Sequence, residues 1–563
     1  MMNRDRDAPR ASRGGTAIAG SAVASGPELR RLAFSWNDWM AIAAVALACG
    51  LAAYIGMPVL REFEHDVLNA LSNAYRVSQG QIPHRDFSSA FGPLLFLIEA
   101  AGLAISGMRP AGIGYANALF GAVIALWTYR VARGRLAGAG AFVLGVYAVL
   151  LITAPFSLGY SPLAFTYAML YNRYGYALLG IILLECGLQA LRAPAGEVQG
   201  AGRGFSTGAA WALLLFLKIS YAILAVPFLL LWVCCGAGRR RRLLALCVGF
   251  GMVAAIVLCY LRFDLADMFR DLAYAAIGRG TTWRLGSTLS PVVVIESIPL
   301  LLLAAVSAAG TGETGSRDAL WRRARVWLFV LAAVCVGGLL LSTNHQAMSL
   351  PLDGFAAVVL VDAVVRRQSR GGDDRTRWLL AMFLGALCLL PLTLMNGVSL
   401  AAAAWERYRG PETPVVRIQS ARGASIALGP VESALTTETG GAAYAEALND
   451  GLDLIRTHTE AADGVMTIDQ FNPFNYLLDR PTPRGGMATA SYNMTFSDAA
   501  HPSAGRFFGG ARWVLVRKYS QAAGDFPIED YFIQGLLRVY GPALQQRFRP
   551  VAETGHWILW RRK

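Results

Sequence analysis

Roughly a dozen apolar blocks of about 15–22 residues recur along the first 397 residues of the chain. A helix rises about 1.5 Å per residue, so a block of that length crosses a hydrocarbon core about 30 Å thick. In lipid every backbone polar group must be satisfied within the protein, and helices do this segment by segment. Composition agrees with the pattern. Across 563 residues, 55% are hydrophobic and 16% charged, with a mean hydropathy of +0.43. A soluble protein of this length needs more charge to cover its surface. The sequence therefore specifies a polytopic helical membrane protein, which excludes a disordered chain, a collagen-like fibre, a disulfide-stapled miniprotein and a soluble nucleic-acid binder.

The net charge of +14 fits the same reading. After Gly397 the chain holds 17 Lys and Arg against 16 Asp and Glu, so the surplus sits among the apolar blocks. Clusters such as Arg239 to Arg242 are what cytoplasmic loops carry under the positive-inside rule. Only three basic residues are lysines (Lys218, Lys518 and Lys563), a bias that suggests a GC-rich bacterial genome. All eight cysteines fall in apolar segments without CxxC spacing, which argues for packing rather than disulfide or zinc chemistry.

The reading divides the chain into three parts: a disordered cytoplasmic segment 1–38, a transmembrane domain 39–397 with a first outer loop 60–110, and an extracytoplasmic α/β domain 398–563. Residues 1–38 lack the short apolar core and cleavage site of a signal peptide, so the first span is expected to remain as an anchor. Spans are expected at Met40–Val59, Gly112–Val131, Ala137–Ala154, Tyr174–Leu191, Ser206–Leu217, Ile219–Cys235, Leu243–Leu261, Val292–Ala309, Val326–Leu341, Pro351–Val365 and Trp378–Gly397. The fold class is thus an all-α bundle of about 11 crossings plus outer interfacial helices, followed by an α/β domain. Parity of the arginine clusters makes two demands. One of the blocks Phe91–Met108 and Gly112–Val131, favouring the first with its Gly92-Pro93 start, is expected at the outer interface, and the block around Lys218 is expected to bend into two short helices that bring the lysine to the outer side, a single long helix being the alternative. In the tail, Val465–Ile468, Trp513–Val516 and His556–Trp560 read as strands, and Asn472–Leu478 and Glu529–Val539 as helices.

Polar residues gather on the outer side. From Glu62 to Gln79 the first loop has helical periodicity. Glu62, Asp66, Asn69 and Asn73 share one face while Val67, Leu68 and Leu71 cover another, as in an amphipathic helix on the outer leaflet. Gly80 ends it, and a turn through Pro83, His84, Arg85, Asp86 and Phe87 follows.

An acidic residue on a helix after the first span, then Gly80–Pro83–Asp86–Phe87 in G-x-x-P-x-x-D-F spacing, then Gly92-Pro93-Leu94, resembles the C-type glycosyltransferase superfamily. Protein O-mannosyltransferases and the aminoarabinose transferases of lipid A belong to it. The resemblance extends through the lysine in LLLFLKISYAILAVPF, the late loop TNHQAMSLPL and the soluble C-terminal domain. It implies an enzyme that moves a sugar from a polyprenyl-phosphate donor to an acceptor on the outer face of the bacterial inner membrane. Asp66 would be the catalytic base, Asp86 the turn aspartate, and Lys218 a contact for the lipid-linked phosphate. Arg173, at the head of a span beside Asn172 and Tyr174, is either a second phosphate contact or an interfacial arginine. Glu62, His345 and Gln346 are candidates for touching substrate. Partners would be the lipid-linked donor, an envelope glycan, lipid or protein acceptor, and membrane lipids, with no nucleic acid.

The sequence also departs from the family pattern. His65 and Val67 flank Asp66 where many members carry an Asp-Glu pair, leaving Glu62 or Glu64 to substitute. The outer stretch 155–176 holds no carboxylate, so neither a divalent metal nor another cofactor is expected. A non-enzymatic lipid-linked sugar transporter or polysaccharide assembly protein is the alternative. A transporter should carry broken helices in both halves and charge near the midplane, whereas here charge collects at outer ends.

The arginine pattern generates a topological prediction. Alkaline phosphatase fused after Lys563 should be active, and fused at Arg240 it should be inactive; the reverse pair of results would invert the scheme.

Overall fold

The computed structural model describes residues 35–191, 202–235, 238–279, 290–309, 317–343, 346, 348–368, 375–430, 441–518 and 528–563. Each of the eleven stretches read as spans is helical. The first helices in chain order are α1 (Trp36–Ile55), α2 (Glu64–Ser78), α3 (Pro93–Ile105), α4 (Gly112–Ala132), α5 (Gly140–Thr153) and α6 (Leu170–Ala190). They are followed by α7 (Gly202–Leu217), α8 (Ile219–Leu224), α9 (Val226–Cys234), α10 (Arg239–Tyr260) and α11 (Leu265–Arg279). Pro291–Ala309, Arg317–Thr343, Pro351–Gln368 and Arg375–Arg409 complete the bundle. Among the described residues, six helices are long and apolar enough to cross a membrane: α1, α4, α10, Pro291–Ala309, Ala319–Thr343 and Arg375–Arg409.

Burial divides the helices by position. Helix α6 is buried on almost every side, as a helix that is apolar all round must be, and it forms the bundle's axis. Helix α10 instead exposes Leu244, Val248, Met252 and Ile256 along one face, the surface a lipid-facing helix presents. It packs on α7 through small residues. A Cβ on Gly208 would lie 2.0 Å from the Leu246 carbonyl oxygen, and one on Gly249 would lie 2.1 Å from that of Phe205. In lipid no hydrophobic effect drives helices together, so such close backbone approach supplies the van der Waals contact that holds them.

Ion pairs lie at the helix ends rich in arginine. Arg133 meets Asp38 at 2.6 Å, joining α4 to α1, and Arg135 meets Glu185 at 2.8 Å, joining the α4–α5 turn to α6. Asp38 also closes a capping box with Ser35 at the start of α1.

Helix α3 has 13 residues, about 20 Å of rise, which is shorter than the hydrocarbon core. The chain breaks at Lys218, whose backbone is extended (φ −160°, ψ 117°) between α7 and α8. The start of α3 is tied to this break. Gly92 N–H donates to the Leu217 carbonyl at 3.0 Å, and a Cβ on Gly92 would fall 1.9 Å from the Phe216 oxygen.

The last bundle helix runs on to Arg409, past Gly397, before the chain enters the C-terminal domain. There β1 (Val416–Arg417) pairs antiparallel with β2 (Ala427–Leu428). A second sheet has the order β3-β4-β6-β5, from β3 (Val465–Ile468), β4 (Trp513–Arg517), β5 (Phe548–Glu553) and β6 (Trp557–Arg562). The β3–β4 pair is parallel and the other two pairs are antiparallel. Helices Gly441–His458 and Ile528–Arg547 flank it. Trp557 fixes the first of these: its ring packs edge-on to Phe474, and its indole N–H donates to the Ala447 carbonyl.

Substituting Gly208 by Leu should separate α7 from α10, lowering both the yield of monodisperse protein in detergent and its thermal midpoint. Gly251→Leu is the control, because nothing lies within 4 Å of a Cβ built there. Equal behaviour of the two variants would show that the close approach does not matter.

Candidate active site

Helix α2 begins two residues later than its periodicity suggests. Phe63 adopts a left-handed backbone (φ 51°) and ends the extended entry, so Glu62 lies outside the helix. This corrects the four-residue face read from the sequence. Asp66, Asn69 and Asn73 do share a face, and Asn73 Nδ2 donates to Asn69 Oδ1 at 2.9 Å. Glu62 instead belongs to a segment stitched to other parts of the molecule and is 1% exposed. Leu60 N–H donates to the Ala427 carbonyl at 2.8 Å and Arg61 N–H to the Phe165 carbonyl at 2.9 Å, while Arg61 also pairs with Glu406.

A second correction concerns the polar face of α2, which does not meet solvent. Val67, Leu68 and Leu71 are fully buried on one side, and the opposite side is covered by the C-terminal domain. Asn69 bonds Thr489, Ser72 donates to the Asn472 carbonyl, and Asn73 to that of Ala488. Arg76 donates to the Gly485 carbonyl at 2.6 Å, Gln79 to that of Arg480 and Gln81 to that of Thr482. The segment Asp469 to Arg484 is therefore a docking element for the first-loop helix.

Asp66 sits in the first turn of this clamped helix, next to the buried residues Glu62, Phe63 and Glu64. Burial pushes its carboxyl up to about 7, while 27% of the side-chain surface remains open. His65 Nε2 is 3.9 Å from Asp66 Oδ1, and its ring stacks on Phe471 at 5.3 Å. Burial, with a smaller contribution from nearby Arg517, holds His65 down at about 4, so the imidazole is neutral at pH 7. Arg517 also reaches Asp469 at 3.7 Å; burial raises that carboxyl and the arginine works against the rise. His65, Asp469 and Arg517 were not singled out from the sequence as site residues. Arg517 gave a weak signal, as the polar end of an otherwise apolar strand.

The remaining candidates occupy distinct settings. Asp86 caps its own turn, accepting from the Ile82 N–H at 2.8 Å, with Arg484 at 3.5 Å. Lys218 is 9% exposed, with its ammonium 4.3 Å from the Tyr171 ring centre and 5.7 Å from that of Phe91 at the end of the first loop. The break between α7 and α8 thus carries the lysine to the base of the loop that bears Asp66. Arg173 is 1% exposed. Its guanidinium donates to the carbonyls of Phe156 and Leu151 and to Asn396 Oδ1, and it lies over the Phe156 ring. With those donors committed to protein acceptors, Arg173 braces the α5–α6 loop and has little left for a phosphate. Gln346 is 7% exposed and donates to the Met348 and Ser349 carbonyls. His345 lies outside the described residues.

One junction was invisible in the sequence. His84 Nδ1 lies 3.1 Å from Asp271 Oδ2 of α11, both side chains being 1% exposed, and Ser89 N–H donates to the same oxygen. Arg506 of the C-terminal domain meets Asp267 and Asp271 and also donates to the His84 carbonyl. The first loop, α11 and the C-terminal domain therefore lock together at one point.

Among the described residues, no group of three or more His, Cys, Asp or Glu is arranged to hold a metal ion.

Comparison with solved structures finds similarity to ArnT from Cupriavidus metallidurans bound to undecaprenyl phosphate, at 13% identity and a TM-score of 0.44, covering 93% of this chain and 98% of that one. The apo state of that protein matches at 13% identity and a TM-score of 0.39, over 92% and 96%. An Archaeoglobus fulgidus oligosaccharyltransferase in complex with zinc and sulfate matches at 10% identity and a TM-score of 0.34, over 84% and 68%. No family model and no curated protein matches the chain.

The raised carboxyl of Asp66 makes a stability prediction. The folded state prefers the protonated form, so folding is disfavoured as pH rises from the unfolded value near 3.8 through about 7. Asp66→Asn should raise the thermal midpoint relative to wild type at pH 8, and the difference should shrink toward pH 4. Partial exposure of the side chain keeps the effect small. A difference independent of pH would mean that Asp66 is not held in this way.

Proposed function

We propose that this chain is a membrane glycosyltransferase that moves a sugar from a polyprenyl-phosphate donor to an acceptor hydroxyl on the outer face of a bacterial inner membrane. The observation that carries the reading is Asp66: a carboxyl poised near neutrality, on a helix fixed by two domains, at the loop whose far end packs against Lys218. A general base works best when its pKa lies near the working pH. In this reading the side bearing Asp66, Lys218 and the C-terminal domain is periplasmic, and the arginine-rich ends of the helices are cytoplasmic.

Asp66 takes the proton of the acceptor hydroxyl as its oxygen attacks the anomeric carbon. The bond from that carbon to the phosphate oxygen breaks, and polyprenyl phosphate leaves with the electron pair and the extra negative charge. Lys218 offsets that charge, from a site where aromatic rings and low exposure keep water from screening it. Attack opposite the leaving group inverts the anomeric centre. Exclusion of bulk water also limits hydrolysis of the donor.

The test is mass spectrometry of envelope glycans from a deletion strain complemented with variants. Deletion should remove one saccharide substituent. Asp66→Asn should reduce its restoration by at least about two orders of magnitude, the usual worth of a positioned base. Lys218→Met should weaken use of the donor at matched expression. Glu64→Gln should restore it, since a two-residue step turns that side chain about 200° from Asp66. A deletion strain with unchanged glycans, or full activity in Asp66→Asn, would reject the reading.

A further inference from the structure

A second polar cluster lies at the outer ends of α6 and of the helices Pro291–Ala309 and Pro351–Gln368. Asp353, in the first turn of the last of these, is 4% exposed. Ser297 donates to its Oδ2 at 3.2 Å, and its Oδ1 meets no hydrogen-bond donor among the described residues. Glu296, the neighbour of Ser297, interacts with Asp353 and accepts the Ser349 N–H at 3.2 and 3.1 Å. Gln346 spends its amide hydrogens on two carbonyls, which leaves its Oε1 buried without a donor. The fully buried hydroxyl of Tyr176 belongs to the same group, beside Gln346, Asp353 and Glu296.

Acceptors are in excess here. One oxygen of the buried Asp353 carboxyl and the Gln346 amide oxygen have no donor, the half-buried Glu296 lies beside them, and among the described residues neither carboxyl forms an ion pair. Leaving such oxygens buried without donors is costly, so the arrangement is built for a ligand that brings several hydrogens. Gln346 is evidence independent of the acids, because its orientation sacrifices a carbonyl oxygen to the cluster. The walls are aromatic: the Tyr176 and Tyr221 rings meet edge-on at 5.5 Å. The cluster also adjoins Lys218. Tyr221 OH lies 3.3 Å from the Asn172 carbonyl oxygen, and Tyr171, next to it, covers the lysine ammonium.

We propose that Asp353, Gln346 and Glu296 form the subsite for the sugar ring of the lipid-linked donor, accepting hydrogen bonds from its hydroxyl groups. The proposal rests on the glycosyltransferase reading and assigns the part of the donor that Lys218 does not touch. Asp353 would select a sugar carrying a hydroxyl at the matching position, because a buried carboxyl oxygen left without a partner penalises a sugar that lacks it.

The test uses full-length protein in lipid nanodiscs. It is titrated with undecaprenyl phosphate and with undecaprenyl phosphate bearing a hexose, an N-acetylhexosamine or a pentose. At least one sugar-bearing lipid should bind about 10- to 100-fold more tightly than the bare carrier, the range of a hydrogen bond to a charged group. Asp353→Asn and Glu296→Gln should each remove most of that gain while leaving the affinity for bare undecaprenyl phosphate unchanged. If Asp353→Asn does not fold, Glu296→Gln and the wild-type comparison of lipids still decide. A gain that survives both substitutions, or no gain for any sugar in wild type, overturns the subsite. So does stabilisation of wild type, and not of Asp353→Asn, by magnesium or calcium chloride alone, which would mark a cation site. Failure of wild type to bind the bare carrier strikes instead at the glycosyltransferase reading.

Discussion

The polar side of one 15-residue helix is hydrogen-bonded to backbone carbonyls some 400 positions later in the chain, and the candidate site depends on that contact. Carbonyl oxygens cannot change sign or protonation, so Ser72, Asn73, Arg76, Gln79 and Gln81 dock on acceptors that are always available. The apolar side of the same helix is spent on the bundle. Helix α2 is held from two directions, and a group at its free end inherits that rigidity. A base positioned within a fraction of an ångström is worth far more than one on a mobile loop.

The clamp also explains the electrostatics of Asp66. Asp86 accepts a backbone N–H within the first loop and has Arg484 nearby. Beside Asp66 lies a neutral imidazole, and among the described residues no arginine or lysine forms an ion pair with it. Desolvation therefore acts on it unopposed and brings its titration toward neutrality. The same C-terminal domain supplies Phe471 and Arg517, which keep His65 neutral. Docking of the C-terminal domain and the electrostatics of Asp66 are two results of one packing event.

Three segments far apart in sequence meet where Arg506 faces Asp267, Asp271 and the His84 carbonyl. The first loop is thereby pinned at its turn as well as along its helix. At its other end, the Gly92 N–H reaches the Leu217 carbonyl and fixes Lys218 relative to the loop. A chain of short contacts thus links the helix bearing Asp66, the turn and Lys218.

Much of this was legible in the residues alone. Apolar block length specified the bundle helices, arginine parity pointed to a break near Lys218, and the alternation of His556–Trp560 marked a strand, because each of these is a local property of helix rise, charge placement or strand period. The period of 3.6 also found α2 and put Asp66 on the face with Asn69 and Asn73. It misplaced Glu62, because a single left-handed residue at Phe63 breaks the register and periodicity carries no record of backbone sign. It read the polar face of α2 as solvated, because polarity alone does not distinguish water from carbonyls contributed by another domain. Arg173 and Lys218 look alike in sequence, each a cation at the head of an apolar helix. Only the tertiary structure distinguishes their settings: Arg173 donates hydrogen bonds to Phe156, Leu151 and Asn396, and the Lys218 ammonium lies against the Tyr171 and Phe91 rings. Residue type and spacing determined which groups could carry chemistry; the long-range pairing of donors with acceptors decided which of them are already spent.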